Sequence, residues 1–433
     1  MKNNFCKIDN QPNLILLNGK GSLYAIGLLV GLLSYQKTQA QLINKGDVQI
    51  ADKTIVSVYM DYENETSGDF VNDGNLYIFN NWNNNGKVSF TKEKFGSTFF
   101  TGSQPQQISG STIATFKNIV FDNLASVVPF DLKTTIEVAN TTDFQNGIVN
   151  AADYDGKVIF DENASHLNAG NQSFIDGMVQ KKGKAMFEFP IGNQLYFRPS
   201  YDASSSSEKN TFSTQYFYQN SDVLYPHDKK EEIILAINDA EYWKVTQDSG
   251  DEKIVLSLTL DRATTPSAFF DKDANTELAI VRWDEKLQKW MSCKGELSDP
   301  SQSKVYEQLL TSQVTGYGIF TMAIVKKTDD GPTDLIVYNA VSPNGDGIND
   351  SFHIKGIDKY PDNEVEIYNR WGVKVFETKS YNESDNMFRG YSDGRATINR
   401  NEKLPTGTYF YILKYNNTQR VVEKSGYLYI NNQ

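Results

Sequence analysis

Asn75-Leu76-Tyr77-Ile78-Phe79, Gly96-Ser97-Thr98-Phe99-Phe100 and Phe116-Lys117-Asn118-Ile119-Val120-Phe121 are three short runs of one kind, aromatic and β-branched. Polar Asn/Gly stretches such as residues 80–86 separate them. Their aromatic anchors recur about every twenty residues, the spacing of a chain that lays each strand on its counterpart in the next turn. Residues 41–183 therefore read as a β-solenoid-like region. The repeat is irregular, and a twisted sandwich with Asn-rich loops satisfies the same pattern.

Outward from this stretch the chain stays all-β. Tyr, Phe, Val, Ile and Thr recur in runs cut by Asn, Gly, Asp and Ser, and helical periodicity is scarce. Over residues 184–327 the runs lengthen. Residues 185–192, 214–218, 241–245, 254–260, 279–283 and 317–324 read as strands, with a Ser-rich loop over 203–209. Strands of this length and alternation predict a middle β-sandwich. Residues 328–334 are polar and turn-rich, with no apolar anchor, which makes them a linker.

At the other end, Lys2, Lys7 and Lys20 precede an apolar run over residues 23–33, and Thr38-Gln39-Ala40 offers a small residue before Gln41. That order is a secretory signal peptide over residues 1–40; the run is too short for a stable membrane anchor. Cleavage at Ala40 removes Cys6 and leaves Cys293 alone, so stability rests on packed cores rather than disulfides. Nothing near Cys293 in sequence would lower its pKa, and it reads as a small residue buried beside Trp290.

The full chain carries a net charge of −12. From Gln41 onward it has 38 basic and 53 acidic residues, while residues 335–433 hold 12 of each, so the acidic excess lies in the body. Such a body repels phosphate backbones and anionic lipid heads, which argues against nucleic acid as a partner.

Residues 335–433 read as a C-terminal immunoglobulin-like β-sandwich. Residues 335–340 open it as a strand, and the loop Ser342-Pro343-Asn344-Gly345-Asp346-Gly347-Ile348-Asn349-Asp350 follows. Glu364-Val365-Glu366-Ile367-Tyr368 alternates as a half-buried strand, turns at Asn369-Arg370-Trp371-Gly372 and returns through Val373-Lys374-Val375-Phe376. Residues 405–413 and 424–430 supply the last two strands. The Pro-x-Gly opening of the first frees a strand start of ladder donors, and Gly permits positive φ at a turn.

Taken together, the words SPNGDGIND, EIYNRWG, LPTGTYFY and KSGYLYI resemble the type B C-terminal domain of type IX secretion substrates in Bacteroidota, also called the gliding motility-associated C-terminal domain. The resemblance covers about a hundred residues, and Phe388-Arg389-Gly390 stands where members often have Trp-x-Gly. It implies export through the general pathway, then passage through the type IX secretion translocon with this domain as the address. It also implies pairing with a PorP/SprF-type outer-membrane barrel and a secreted or cell-surface destination, outer-membrane associated, where many members serve adhesion or gliding motility. An edge strand of the domain, such as the last one around Leu428, suits docking by strand addition.

Chemistry-bearing motifs are few. Ser342, Asn344, Asp346, Ile348 and Asp350 can be laid on a calcium loop, the first three and Asp350 offering side-chain oxygens and Ile348 a carbonyl. Against this, the first position is Ser and the last is His353 rather than Glu, and an Asn/Gly/Asp turn closed by its own side chains fits equally. The only histidines, His166, His227 and His353, fall in different regions with no metal-ligand spacing. There is no nucleophile elbow, phosphate loop or dinucleotide fingerprint. Asp153, Asp155 and Asp161 cluster on the solenoid, as a glycosidase or lyase would need, yet no coupled base accompanies them. Trp243, Trp283 and Trp290 read as core, whereas Trp82, in an Asn-rich stretch, is the tryptophan suited to a ligand contact. The sequence thus predicts a non-enzymatic surface protein of adhesion or gliding. An accessory of the secretion or gliding apparatus, and a protein that binds or degrades a surface glycan, are the alternatives.

Overall fold

Residues 41–64 make one turn of a solenoid and begin the next. Gln41–Asn44, Asp47–Ile50 and Ile55–Val58 form three sides, and Asp61–Asn64 returns to lie parallel on Gln41–Asn44 with Leu42 opposite Tyr62. The computed structural model describes residues 40–432 apart from 203–206, 252–253, 272, 299–304, 315, 328–334, 370–372, 393–402 and 418–420. The expected leader, but for Ala40, the linker 328–334, part of the Ser-rich loop and the centre of the 369–372 turn lie outside the described residues. The chain is all-β: among the described residues, helix is confined to three single 3-10 turns, Ala152–Tyr154, Ser267–Phe269 and Ile357–Lys359.

The solenoid continues with parallel pairing throughout. One side stacks Gln41–Asn44, Asp61–Asn64, Trp82–Asn84, Gln106–Ser109, Phe130–Leu132, Val149–Asn150, Ile175–Asp176 and Ile191–Asn193 in order. The other two sides merge where Ala114–Asn123 and Thr135–Asn146 run long and bend at an irregularity between Phe116 and Asn118. Inward residues repeat at equivalent places. Phe100, Phe121 and Phe144 stack with ring centroids 5.8 Å apart at each step, and all three are fully buried. Such a column buries large apolar area at little entropic cost, since each ring has only two side-chain torsions to fix.

The Asn-rich stretches are part of this core. Asn44 Nδ2 donates to Asn64 Oδ1 at 2.9 Å, Asn64 Nδ2 donates to Asn84 Oδ1 at 2.8 Å, and Asn84 Nδ2 donates to the Thr112 carbonyl. A buried amide offers two donors and an acceptor, so an identical amide one rung away satisfies it. Trp82 follows the same logic. It lies in the strand Trp82–Asn84, is 1% exposed, and stacks on Tyr62 with centroids 4.5 Å apart. The ligand-contact reading of Trp82 is therefore corrected: the surrounding asparagines face a neighbouring rung rather than solvent, and the indole fills the core.

At residue 183 the pairing changes direction while the sheet continues. Met178–Lys182, the last parallel strand of its side, pairs antiparallel with Thr211–Phe217, and Tyr242–Ser249, Gly318–Lys326, Thr276–Asp284 and Lys289–Ser292 extend the sheet. A second sheet of Phe187–Phe189, Ser200–Asp202, Val255–Leu260, Gln308–Gln313 and Glu296–Ser298 packs on it. Pro190, which lacks a ladder donor, splits the run expected over 185–192 between this second sheet, which takes Phe187–Phe189, and the stacked side of the solenoid, which takes Ile191–Asn193. One apolar core runs from Ile50 through Phe144 to Met322. Trp283 and Trp290 face each other across a hairpin in a separate cluster on the outer side of the first sheet.

Where solenoid and sandwich meet, polar groups are buried but paired. Arg198 Nη2 reaches Asp261 Oδ1 at 2.8 Å and Arg198 Nε donates to Thr264, while Trp243 Nε1 donates to the Arg198 carbonyl. Glu241 accepts from Tyr216 Oη at 2.7 Å and from Thr265 Oγ1 at 2.5 Å. Burial pushes the Glu241 carboxyl above its usual range against the pull of these hydroxyls.

Candidate functional site

The C-terminal unit is built on a five-stranded sheet in which Lys374–Lys379, Asn363–Asn369, Gly407–Asn416, Val421–Ile430 and Ala340–Val341 are neighbours in that order. Ile336–Val337 and Ile354–Lys355 form a small second sheet. The single strand expected over 335–340 thus divides between two sheets. Alternation on the central strand decides its two faces. Tyr409, Tyr411, Leu413 and Tyr415 point into the domain's own core with Val365, Ile367 and Leu428. Phe388 fills that core completely and packs against Phe376 at 5.0 Å between centroids, so the phenylalanine in place of tryptophan serves as an apolar plug. Tyr381 ties the layers together: its hydroxyl donates to the Phe352 carbonyl and accepts from the Phe388 amide.

The opposite face meets the body. Tyr368, Phe410 and Ile412 are buried against Val255 of the middle sandwich. Around this patch Lys414 Nζ donates to Gln313, Ser425 Oγ to Glu296, and Lys294 Nζ to the Glu423 carbonyl, each at 3.3 Å. Glu366 is held on the same face by Lys374 and, at 3.6 Å, by Lys414. The last strand is covered at Tyr429 and Ile430 by Ala340–Val341, so Leu428 lies next to a paired end. Among the described residues one edge of this sheet is Lys374–Lys379, whose Lys374, Glu377 and Lys379 discourage indiscriminate strand addition, and on the other side Ala340–Val341 covers only Tyr429 and Ile430 and leaves the last strand from Val421 to Leu428 unpaired on that side.

The loop Ser342 to Asp350 folds as a unit, and the structure brings Asn344, Asp346, Ile348 and Asp350 together within it. Both Asp350 oxygens are taken by backbone amides, Gly345 at 2.7 Å and Gly347 at 2.8 Å. Asp346 accepts from the Ile348 amide and from Asn344 Nδ2, and Asn344 Oδ1 accepts from the Asp346 amide. The Ser342 amide closes the loop on the Asn349 carbonyl. Hydrogen bonds from the Gly345 and Gly347 amides hold the Asp350 carboxyl below its usual range. These oxygens are aimed at the loop's own amides, the arrangement of nested Asx turns, and among the described residues no three His, Cys, Asp or Glu side chains form a metal-binding group. Behind the loop, Gly390 adopts φ +77° where a Cβ would meet Pro343 Cγ at 2.6 Å, so only glycine fits there. Asp350→Ala should lower the melting temperature by the same amount in calcium and in chelator. A loss seen only with calcium present would establish a cation there instead.

The solenoid carboxylates do not form a site of their own. Asp153 accepts from Asn150 Nδ2, Asp155 caps the 3-10 turn in a left-handed conformation, and Asp161 lies beyond the far end of Lys157–Phe160, its carbonyl taken by Lys181 Nζ. Two histidine contacts escaped the sequence reading because their partners are set by folding: Ser221 Oγ lies 2.8 Å from His227 Nε2, and His353 Nδ1 lies 2.8 Å from Glu383. Ser221 is fully buried, which leaves no path for a substrate to its hydroxyl. Cys293 is half-buried and packs against the main core.

Compared with known families, residues 335–430 match the model described as the CHU_C Type IX secretion signal domain. No curated protein and no solved structure matches the chain. The C-terminal sandwich is a type IX secretion signal domain, and the chain that carries it is cargo of that route, exported to the cell surface or beyond.

Proposed function

We propose that this cargo is displayed at the cell surface as a non-enzymatic protein of adhesion or gliding motility, handed to a PorP/SprF-type outer-membrane barrel by its C-terminal domain. The observation that supports this is mechanical continuity. Eight parallel strands line one side of the solenoid, one sheet continues from the solenoid into the sandwich, and an apolar contact packs the signal domain's own sheet against the sandwich. Cooperative ladders of backbone hydrogen bonds resist local opening, the property required of a body that transmits force between an anchor and a surface.

The test is a host strain that lacks this chain. It should still secrete its other type IX cargo while attaching to surfaces or spreading less than the parent. Loss of all type IX secretion would make the chain an accessory of the apparatus, and unaltered attachment and spreading would defeat the reading.

A further inference from the structure

We infer that a row of aromatic rings across the outer face of the signal domain's sheet is the surface by which the type IX export machinery recognises it, and that the body is a displaceable cover on part of that row. Tyr368 lies opposite Phe410 and Phe410 opposite Tyr427, so three neighbouring strands each place one ring in a line. Tyr368 and Phe410 stand 6.1 Å apart between centroids, and Ile412 lies beside them in the next row. None of the three rings belongs to the domain's own core, which takes Ile367, Tyr409, Tyr411 and Leu428 from the same strands. Yet they come from three of the four words by which the domain resembles its family, EIYNRWG, LPTGTYFY and KSGYLYI, and all lie within the matched residues 335–430. The match also names the occupant, because a type IX secretion signal is recognised by the machinery of that route. Aromatic side chains left over from a fold's own packing are the anchors on which such recognition is built.

The body fits this row poorly. It buries Tyr368 to 3% and Phe410 to 7% exposure but leaves Tyr427 52% exposed, so the cover ends before the row does. Against two rings and Ile412 it sets Val255, with Leu297 nearby. Its other contacts are polar, and a cleft lined by Glu296, Ser298 and Thr311 on the body and by Thr408, Phe410 and Tyr427 on the domain separates the two surfaces. Ser298 Oγ is buried there with no hydrogen-bond partner among the described residues, a cost that a well-matched interface avoids. The three hydrogen bonds around the patch, each 3.3 Å long, lie at the weak end of the range. So loose a contact closes because residues 328–334 tether its two halves, at an effective concentration on the order of millimolar. A receptor with an apolar centre, and polar groups opposite the rim of Glu366, Lys374 and Lys414, displaces it. The inference rests on the domain's role as an address and is independent of adhesion or gliding.

The test is export of the intact chain and its variants in a type IX host, read as the fraction that reaches the surface and the medium. Phe410→Asp and Tyr427→Ala should each lower that fraction at least roughly tenfold, the loss expected of an interface anchor. Tyr427 is half-exposed and outside the core, so Tyr427→Ala should keep the parent's melting temperature and Tyr427→Phe should export like the parent, which separates lost recognition from lost folding. Val255→Asp loosens the body's hold without touching the domain and should export at least as well as the parent. Export of either row variant at the parent's level, retention of Tyr427→Phe, a lowered melting temperature in Tyr427→Ala, or a loss of export in Val255→Asp overturns the inference. The addressing role is tested apart from it by a chain ending at Asp334. Retention of that chain beside normal export of the row variants would remove the row and leave the address standing.

Discussion

A chain ending at Asp334 should be retained inside the outer membrane, with signal at the surface and in the medium falling to background. The domain removed has its own core, closed by Phe388, Tyr411 and Leu428, and it carries the type IX secretion signal. Loss of the address alone accounts for retention, but truncation also strips Tyr368, Phe410 and Ile412 from Val255 and leaves an apolar patch on the sandwich. Exposed patches of that kind promote aggregation, so retention of the truncated chain has two physical causes. Appending residues 335–433 to an unrelated reporter with a signal peptide separates them. The reporter should appear outside the cell when its host supplies the translocon and the matching barrel. Efficient export of the truncated chain, or periplasmic retention of the tagged reporter, would sink the addressing role.

The same interface shows where sequence reading reached its limit. Alternation over residues 364–368 and 405–413 announces two faces on each strand, and the inward set Val365, Ile367, Tyr411 and Leu413 is as expected. Alternation cannot say that the other face is also covered, because Phe410 and Ile412 meet Val255 more than a hundred residues away, and only folding brings them together. The solenoid was legible from its aromatic spacing, although that spacing mixes faces. Phe100 and Phe121 point inward, whereas Phe79 stacks outside on Tyr59. Trp82 misled for a related reason. Asparagine ordinarily signals a loop because its amide competes with the backbone, but in a stack the amides of successive rungs satisfy one another. The calcium reading of residues 342–350 turned on donor types and spacing, while the direction of each oxygen is a property of the closed turn.

Asp202→Asn should make the protein more stable at pH 8 and change it little near pH 4. Asp202 sits on the core side of Ser200–Asp202, with Phe187 and Leu256 opposite it on the flanking strands. Neither carboxyl oxygen has a hydrogen-bond partner among the described residues. Burial pushes this carboxyl up to about 8 from an ordinary 3.8. Between those values the native state keeps a proton that the unfolded chain has already lost, so stability falls as pH rises from about 4 to about 8 and levels off beyond. Each pH unit of that interval removes about 1.4 kcal/mol at most, giving a loss on the order of 5 kcal/mol by pH 8. Asparagine cannot ionise, so the variant escapes this loss. Its buried amide still wants partners, which costs about 1 kcal/mol and leaves it level with the parent or slightly below it in acid. Melting curves from pH 4 to 8 should therefore diverge steadily in favour of the variant. A difference that stays constant across the range would mean that Asp202 is already charged in the folded chain, with a counter-charge or water at its carboxylate.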